Sequence, residues 1–210
     1  MTALSDAEFV VRTVADTACA NEEYFGQLDA VVGDGDFGYS LARGFEHVLA
    51  QWDDFDRTDA GVFLQKVAQA ISQRVGGTSG PIWGTAFLRA GGKLKGHETI
   101  APADVVVALR AAVEGIQARG QAQLGEKTLL DSLVPAIDTF EAETAAGAST
   151  DDALAAMAVT ARTTADATKE LQAMRGRASY TGERSIGSVD AGATAVAVML
   201  EKLAGAWPQR

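Results

Sequence analysis

Leu28-Asp29-Ala30-Val31-Val32-Gly33-Asp34-Gly35-Asp36-Phe37-Gly38 sets three carboxylates and three glycines within eleven residues. Asp29, Asp34 and Asp36 would repel one another at close range without a counter-charge, and carboxylate oxygen is the ligand that Mg²⁺ or Ca²⁺ prefers. Gly33, Gly35 and Gly38 admit backbone angles that side chains resist, so the chain can wrap its carboxylates around one point and let an anion reach the main chain. Asp and Gly also build ordinary turns, so Asp-Gly-Asp alone says little. An EF-hand register starting at Asp34 puts Tyr39 where the turn glycine belongs and Phe45 where the bidentate glutamate belongs, and so fails on spacing. A Walker A loop fails too, because no Gly, four residues, then Gly-Lys-Ser/Thr occurs. Apolar helical patterns on both sides make the stretch a helix-loop-helix junction.

The surrounding composition narrows what such a loop can serve. A chain of 210 residues supports one substantial core, and a single domain over 1–210 is expected. Hydrophobic residues at 47% and charged residues at 22% are those of a globular protein, with no apolar run of membrane-spanning length. The opening Ser5-Asp6-Ala7-Glu8 lacks the basic and apolar regions of a signal peptide, which points to the cytoplasm. Cys19 is the single cysteine, so no internal disulfide is expected. A net charge of −10 argues against nucleic acid, and any phosphate ligand would need metal or local Arg and Lys.

Outward from the acidic loop the apolar spacing is helical throughout. Ser5 and Glu8 resemble a capping box for a first helix reaching about Asn21, and Asn21 to Phe25 suggests a short further turn. Leu41, Phe45 and Val48 mark a second helix, and Asp59 caps a third carrying Phe63, Val67 and Ile71. Val75-Gly76-Gly77-Thr78-Ser79-Gly80-Pro81 precedes a fourth helix over 82–90. In isolation that loop reads as a plain connection, although its free N–H groups would also suit a phosphate. A flexible basic link follows at 91–96, and Pro102 opens a fifth helix. The loop from Gly120 to Thr128 leads to a sixth with Leu130, Leu133, Ile137 and Phe140, where Pro135 should introduce a kink. Asp131 near its start suits the helix dipole. Ser149 or Thr150 caps an alanine-rich seventh helix extending to about Met174, and a loop from Arg175 to Gly192 precedes the eighth.

Eight helices and no period-two stretch predict an all-α bundle or barrel. In an up-and-down arrangement the loops after helices one, three, five and seven share an end. Three carboxylates, two hydroxyls, a lysine and several arginines would then gather at one rim.

Four separated motifs give this chain a family resemblance. Gly-Asp-Gly-Asp at 33–36, Gly-Gly-Thr-Ser-Gly-Pro at 76–81, Lys-Thr-Leu-Leu-Asp at 127–131 and Gly-Arg-Ala-Ser-Tyr-Thr-Gly-Glu-Arg-Ser-Ile-Gly at 176–187 are similar in order and spacing to the nucleotide-binding L subunit of dihydroxyacetone kinases. The resemblance implies an antiparallel eight-helix barrel with ADP or ATP at one rim, its phosphates held through two Mg²⁺ by Asp29, Asp34 and Asp36. It implies phosphate contacts from Gly38, Tyr39, Ser40, Thr78 and Ser79, with Gly120, Leu129 and Arg177 near the nucleoside and Asp190 close by. No nucleophile or base is expected from this chain, with Arg177 and the three aspartates supporting the transfer. It also implies a separate K subunit carrying dihydroxyacetone or a related ketose, a phosphohistidine M-type protein as the favoured donor over free ATP, and a homodimer. Phe37 and Ser188 stand where the family commonly has histidine. The competing expectation is a nucleotide-sensing regulatory module using the same pocket.

Overall fold

The computed structural model describes residues 2–74 and 79–209, all of them helix or connection. Nine α-helices occur among these residues: α1 (Ala3–Ala20), α2 (Glu22–Ala30), α3 (Phe37–Ala50), α4 (Ala60–Arg74), α5 (Ser79–Leu94), α6 (Pro102–Gly120), α7 (Leu130–Ala145), α8 (Thr150–Ala167) and α9 (Ala191–Ala206). Eight of them pack each on the next in the order α1, α3, α4, α5, α6, α7, α8, α9, and α9 packs back on α1. The ring therefore closes into the expected eight-helix barrel, its neighbours alternating in direction as short connections require. The additional short helix, α2, sits against α3 and α9 at one end.

Small residues let the helices approach closely. A Cβ on Gly61 of α4 would lie within 2.6 Å of Lys95, and one on Gly91 would meet Gly61 O at 2.7 Å. This contact explains why α5 runs on to Leu94 through the predicted flexible link: Gly91 is held in helix by α4 despite its poor propensity. Ala153, Ala161 and Ala165 of α8 and Ala193 and Ala197 of α9 are fully buried in the same manner. Large side chains fill two clusters, one around Val11, Phe25, Phe45, Phe63 and Ile71 and one around Leu130, Ile137, Phe140 and Met157. Each buried Phe or Leu contributes on the order of 1.5–3 kcal/mol. An apolar cavity of about 260 Å³ runs between them inside the ring.

Helix ends show where local reading yielded to other contacts. Thr2, not Ser5, caps α1, exchanging bonds with Ser5 in a capping box, while Glu8 instead takes the Arg57 Nε at 2.5 Å. Asp59 caps α4 as expected, accepting from Val62 N at 2.8 Å, and Ser149 caps α8. The alanine-rich helix ends at Ala167 rather than near Met174. There Thr168, fully buried, donates to Ala165 O at 2.6 Å and accepts the Asp190 N–H at 2.8 Å, replacing helical bonds with tertiary ones. α7 continues through Pro135.

Candidate functional site

The connections α1–α3, α6–α7 and α8–α9 and the start of α5 meet at one rim, as alternating helix directions demand. They surround a pocket of about 280 Å³, lined among others by Asp34, Ser79 at the start of α5, Lys127 and Arg177. Asp29 belongs to the last turn of α2, and Asp34 and Asp36 to the turn before α3. This corrects the expectation of a brief turn at Asn21–Phe25. The last turn of α2 and the turn that follows it place the three carboxylates so that one oxygen from each lies within 4.8 Å of the others. Gly35 makes the turn at φ 75°, where other residues are strained.

That oxygen set suits a hard divalent ion, whose ligands stand 2.0–2.6 Å from it. The structure supplies a cation there from its own chain: the Arg177 guanidinium pairs with Asp34 and lies 3.8 Å from Asp36. A counter-charge is thus drawn to the position that the chemistry of the donors requires. The first turn of α3 begins beside the acids. Its first internal bond is Ser40 N to Asp36 O at 2.8 Å, and Phe37 N–H turns to Asp29 Oδ2 at 3.4 Å. The N–H groups of Gly38 and Tyr39 are those a helix start leaves for an anion.

Away from the acids the pocket becomes apolar. Ile82, Trp83, Ile116 and Leu129 line both this pocket and the cavity inside the barrel, forming the floor between them. Gly120 lies on that side, where an added Cβ would press Ile82 at 3.1 Å. Asp190 borders the pocket and caps α9 by accepting the Ala193 N–H at 2.7 Å. Burial pushes its carboxyl up to about 7; the Ala193 bond and Lys127 oppose the rise, and Asp131 and Asp29 add to it.

The structure thus brings Asp29, Asp34, Asp36, Ser79, Gly120, Leu129, Arg177 and Asp190 to one pocket. Gly38, Tyr39 and Ser40 stand beside it in α3 without lining it. Gly38 is buried against the Glu22 carbonyl and Gly26 amide of α2, leaving no room for a side chain. Tyr39 is exposed, with Arg43 over its ring at 5.2 Å. Thr78, with Val75, Gly76 and Gly77, lies outside the described residues. Phe37 lines the pocket and packs on Phe25 at 6.3 Å. Sequence reasoning gave no role to Trp83 or Ile82, although their place just after the second loop was a usable signal. It also gave Asp131 only the helix dipole, whereas its two oxygens take the Gly125 and Thr128 N–H groups at 2.5 and 2.7 Å and fold the third loop.

Residues 31–205 match the DAK2 domain. The chain belongs to the DAK2 family. This DAK2 chain is 35% identical over 189 residues to the PEP-dependent dihydroxyacetone kinase ADP-binding subunit DhaL of Escherichia coli (strain K12), covering 90% of each. It is also 35% identical over 198 residues to the L-erythrulose 1-kinase of Mycolicibacterium smegmatis, of which it spans 34%. The crystal structure of the dihydroxyacetone kinase from C. freundii in complex with AMP-PNP and Mg²⁺ shares the DAK2 fold, with TM-score 0.75, 24% identity, and coverage of 96% of this chain and 34% of that one. No helix among the described residues is long and apolar enough to cross a membrane.

Proposed function

We propose that the rim pocket binds Mg²⁺ with ADP or ATP and that the chain is the nucleotide-carrying part of a kinase for dihydroxyacetone or a related small ketose. The observation that carries this reading is the division of one pocket into an acid cluster and an apolar floor, the two chemistries of a nucleotide's ends. Asp29, Asp34 and Asp36 would hold two Mg²⁺ ions, which would offset negative charge during phosphoryl transfer. The N–H groups at the start of α3, Ser79 and Arg177 would hold the phosphate oxygens, while Ile82, Trp83 and Leu129 would receive the base. In this reading the chain orients the nucleotide and its charge, and the acceptor is brought by another subunit.

The acceptor ketose would be brought by a separate subunit docking on the same rim. Val31 at 65% exposure and Tyr180 at 88%, with Tyr39, Leu124, Met174 and Ile186, give the segments around the pocket exposed apolar side chains that suit such a partner. A phosphohistidine protein is the favoured donor, in keeping with the PEP-dependent relative, and would recharge ADP in place. The similarity to an erythrulose kinase keeps four-carbon ketoses among the acceptors. The test is to extract nucleotide from the purified protein with acid, then follow its rephosphorylation by a phosphohistidine donor or by ATP, with dihydroxyacetone and erythrulose as acceptors on a K subunit. Retained ADP charged by the phosphoprotein supports the reading. Binding of ADP with no transfer to either ketose would make the chain a sensor.

A further inference from the structure

Lys127 is 3% exposed, an uncommon burial for a lysine, and adopts the left-handed φ of 60°. Its ammonium has three donors, and each has an acceptor: Leu171 O at 3.1 Å, Ser185 O at 2.5 Å and Ser188 O at 2.6 Å. These carbonyls stand at the two ends of one loop, Leu171 where it leaves α8 and Ser185 and Ser188 where it returns to α9. The stretch between them carries Arg175 and Arg177. Burial lowers the ammonium's hold on its proton and Asp190 strengthens it.

The same neck is braced by Gly187 N to Lys169 O at 2.7 Å and Ala173 N to Ser185 Oγ at 2.9 Å. Glu126, adjacent in the chain, takes Met174 N–H on its carbonyl at 3.1 Å and Arg175 on both carboxylate oxygens at 2.7 and 2.9 Å. The third loop therefore grips the fourth, and Lys127 is the grip's buried centre.

We propose that Lys127 is a positioning residue: by tying the neck of the 171–188 loop it holds Arg177 over Asp34 and Asp36 and over the phosphates of a bound nucleotide. The last part rests on the nucleotide reading, so the test has one arm that needs no nucleotide. Trypsin should cut after Arg177 and Arg184 several-fold faster in Lys127→Met than in the wild type; equal rates would overturn the proposal. In the second arm, ADP is titrated with Mg²⁺ into the wild type, Lys127→Met, Arg177→Ala and the double variant. Lys127→Met should lose roughly tenfold in affinity, the size of one charge-assisted bond, and the double variant no more than Arg177→Ala alone. Losses that add, or an unchanged Lys127→Met, would show that the lysine only supports the fold. A wild type that ignores ADP defeats the nucleotide reading and leaves the protease arm to decide. Should Lys127→Met fail to fold, Lys127→Arg takes its place, since a planar guanidinium cannot point three donors at three converging carbonyls, and intermediate cleavage and affinity are expected.

Discussion

Arg177 and Asp34 are paired across the rim, joining the α8–α9 segment to the turn before α3 over more than half the chain. The guanidinium stands where the carboxylates need positive charge, so it and a divalent ion compete for the same oxygens. Arg177→Ala should therefore have opposite effects on two ligands. Mn²⁺ or Mg²⁺ alone should bind more tightly, because the internal cation is gone. ADP with Mg²⁺ should bind roughly tenfold more weakly, because a charge-assisted bond to the phosphates is lost. Calorimetry with the metal alone and with ADP separates the two, and a fall in both affinities would mean that Arg177 does not compete with metal.

Asp34→Asn removes one ligand charge without changing size. ADP binding in the presence of Mg²⁺ should weaken by an order of magnitude or more, while the helical circular dichroism stays unchanged. Asp29→Asn should add a cost to the fold, since Asp29 also receives the Phe37 N–H. ADP affinity that is equal in the wild type and in all three Asp→Asn variants would remove the metal site.

Gly38→Ala tests whether α2 is held by contact. The new methyl would strike the Glu22 carbonyl and the Gly26 amide, so α2 must shift, and overpacking of this kind costs about 1–3 kcal/mol. A lowered Tm together with weaker Mg²⁺ binding is expected, because α2 carries Asp29. Loss of stability with the metal affinity intact would separate the helix from the site.

Asp190 sets a pH dependence. Its carboxyl is raised to about 7 by burial in the folded protein, against about 3.9 in an unfolded chain. Between these values the folded state keeps a proton that the unfolded state has released. The stability this confers is complete below about pH 4 and is lost as pH rises through about 7. Urea unfolding in EDTA should show the wild type losing ground against Asp190→Asn between about pH 5 and pH 8, since the amide caps α9 without titrating. A constant difference would mean that Asp190 is ionised throughout.

The ring and the acid cluster were legible because their signals are local: helical spacing in every segment, glycine-rich loops between segments, and three aspartates within eight positions. α2 was not, because Gly26 breaks its propensity, and what favours a glycine there is a remote contact: a Cβ would stand 3.3 Å from Gly35 O. The end of α8 was hidden for the opposite reason. Thr168 to Leu171 carries no stop residue, and the helix is ended by bonds to Asp190, Gly187 and Lys127, all remote in sequence. The pairing of Arg177 with Asp34 likewise depends on how the α8–α9 segment meets the turn before α3.

Closure of the ring by α9 on α1 brings Phe9 and Trp207 edge to face with centroids 5.8 Å apart, at the end away from the pocket. Nothing in that seam requires the chain to be cut there. A circular permutant that joins the end of α9 to the start of α1 by a short linker, and opens the far-side connection at Gly147 between α7 and α8, would keep every helix contact and the segments that line the pocket. The motifs would then follow one another in a different order while the acidic turn, the start of α5 and the third and fourth loops meet at the same rim, so the site depends on the closed circle of helices and not on the order in which its parts are joined.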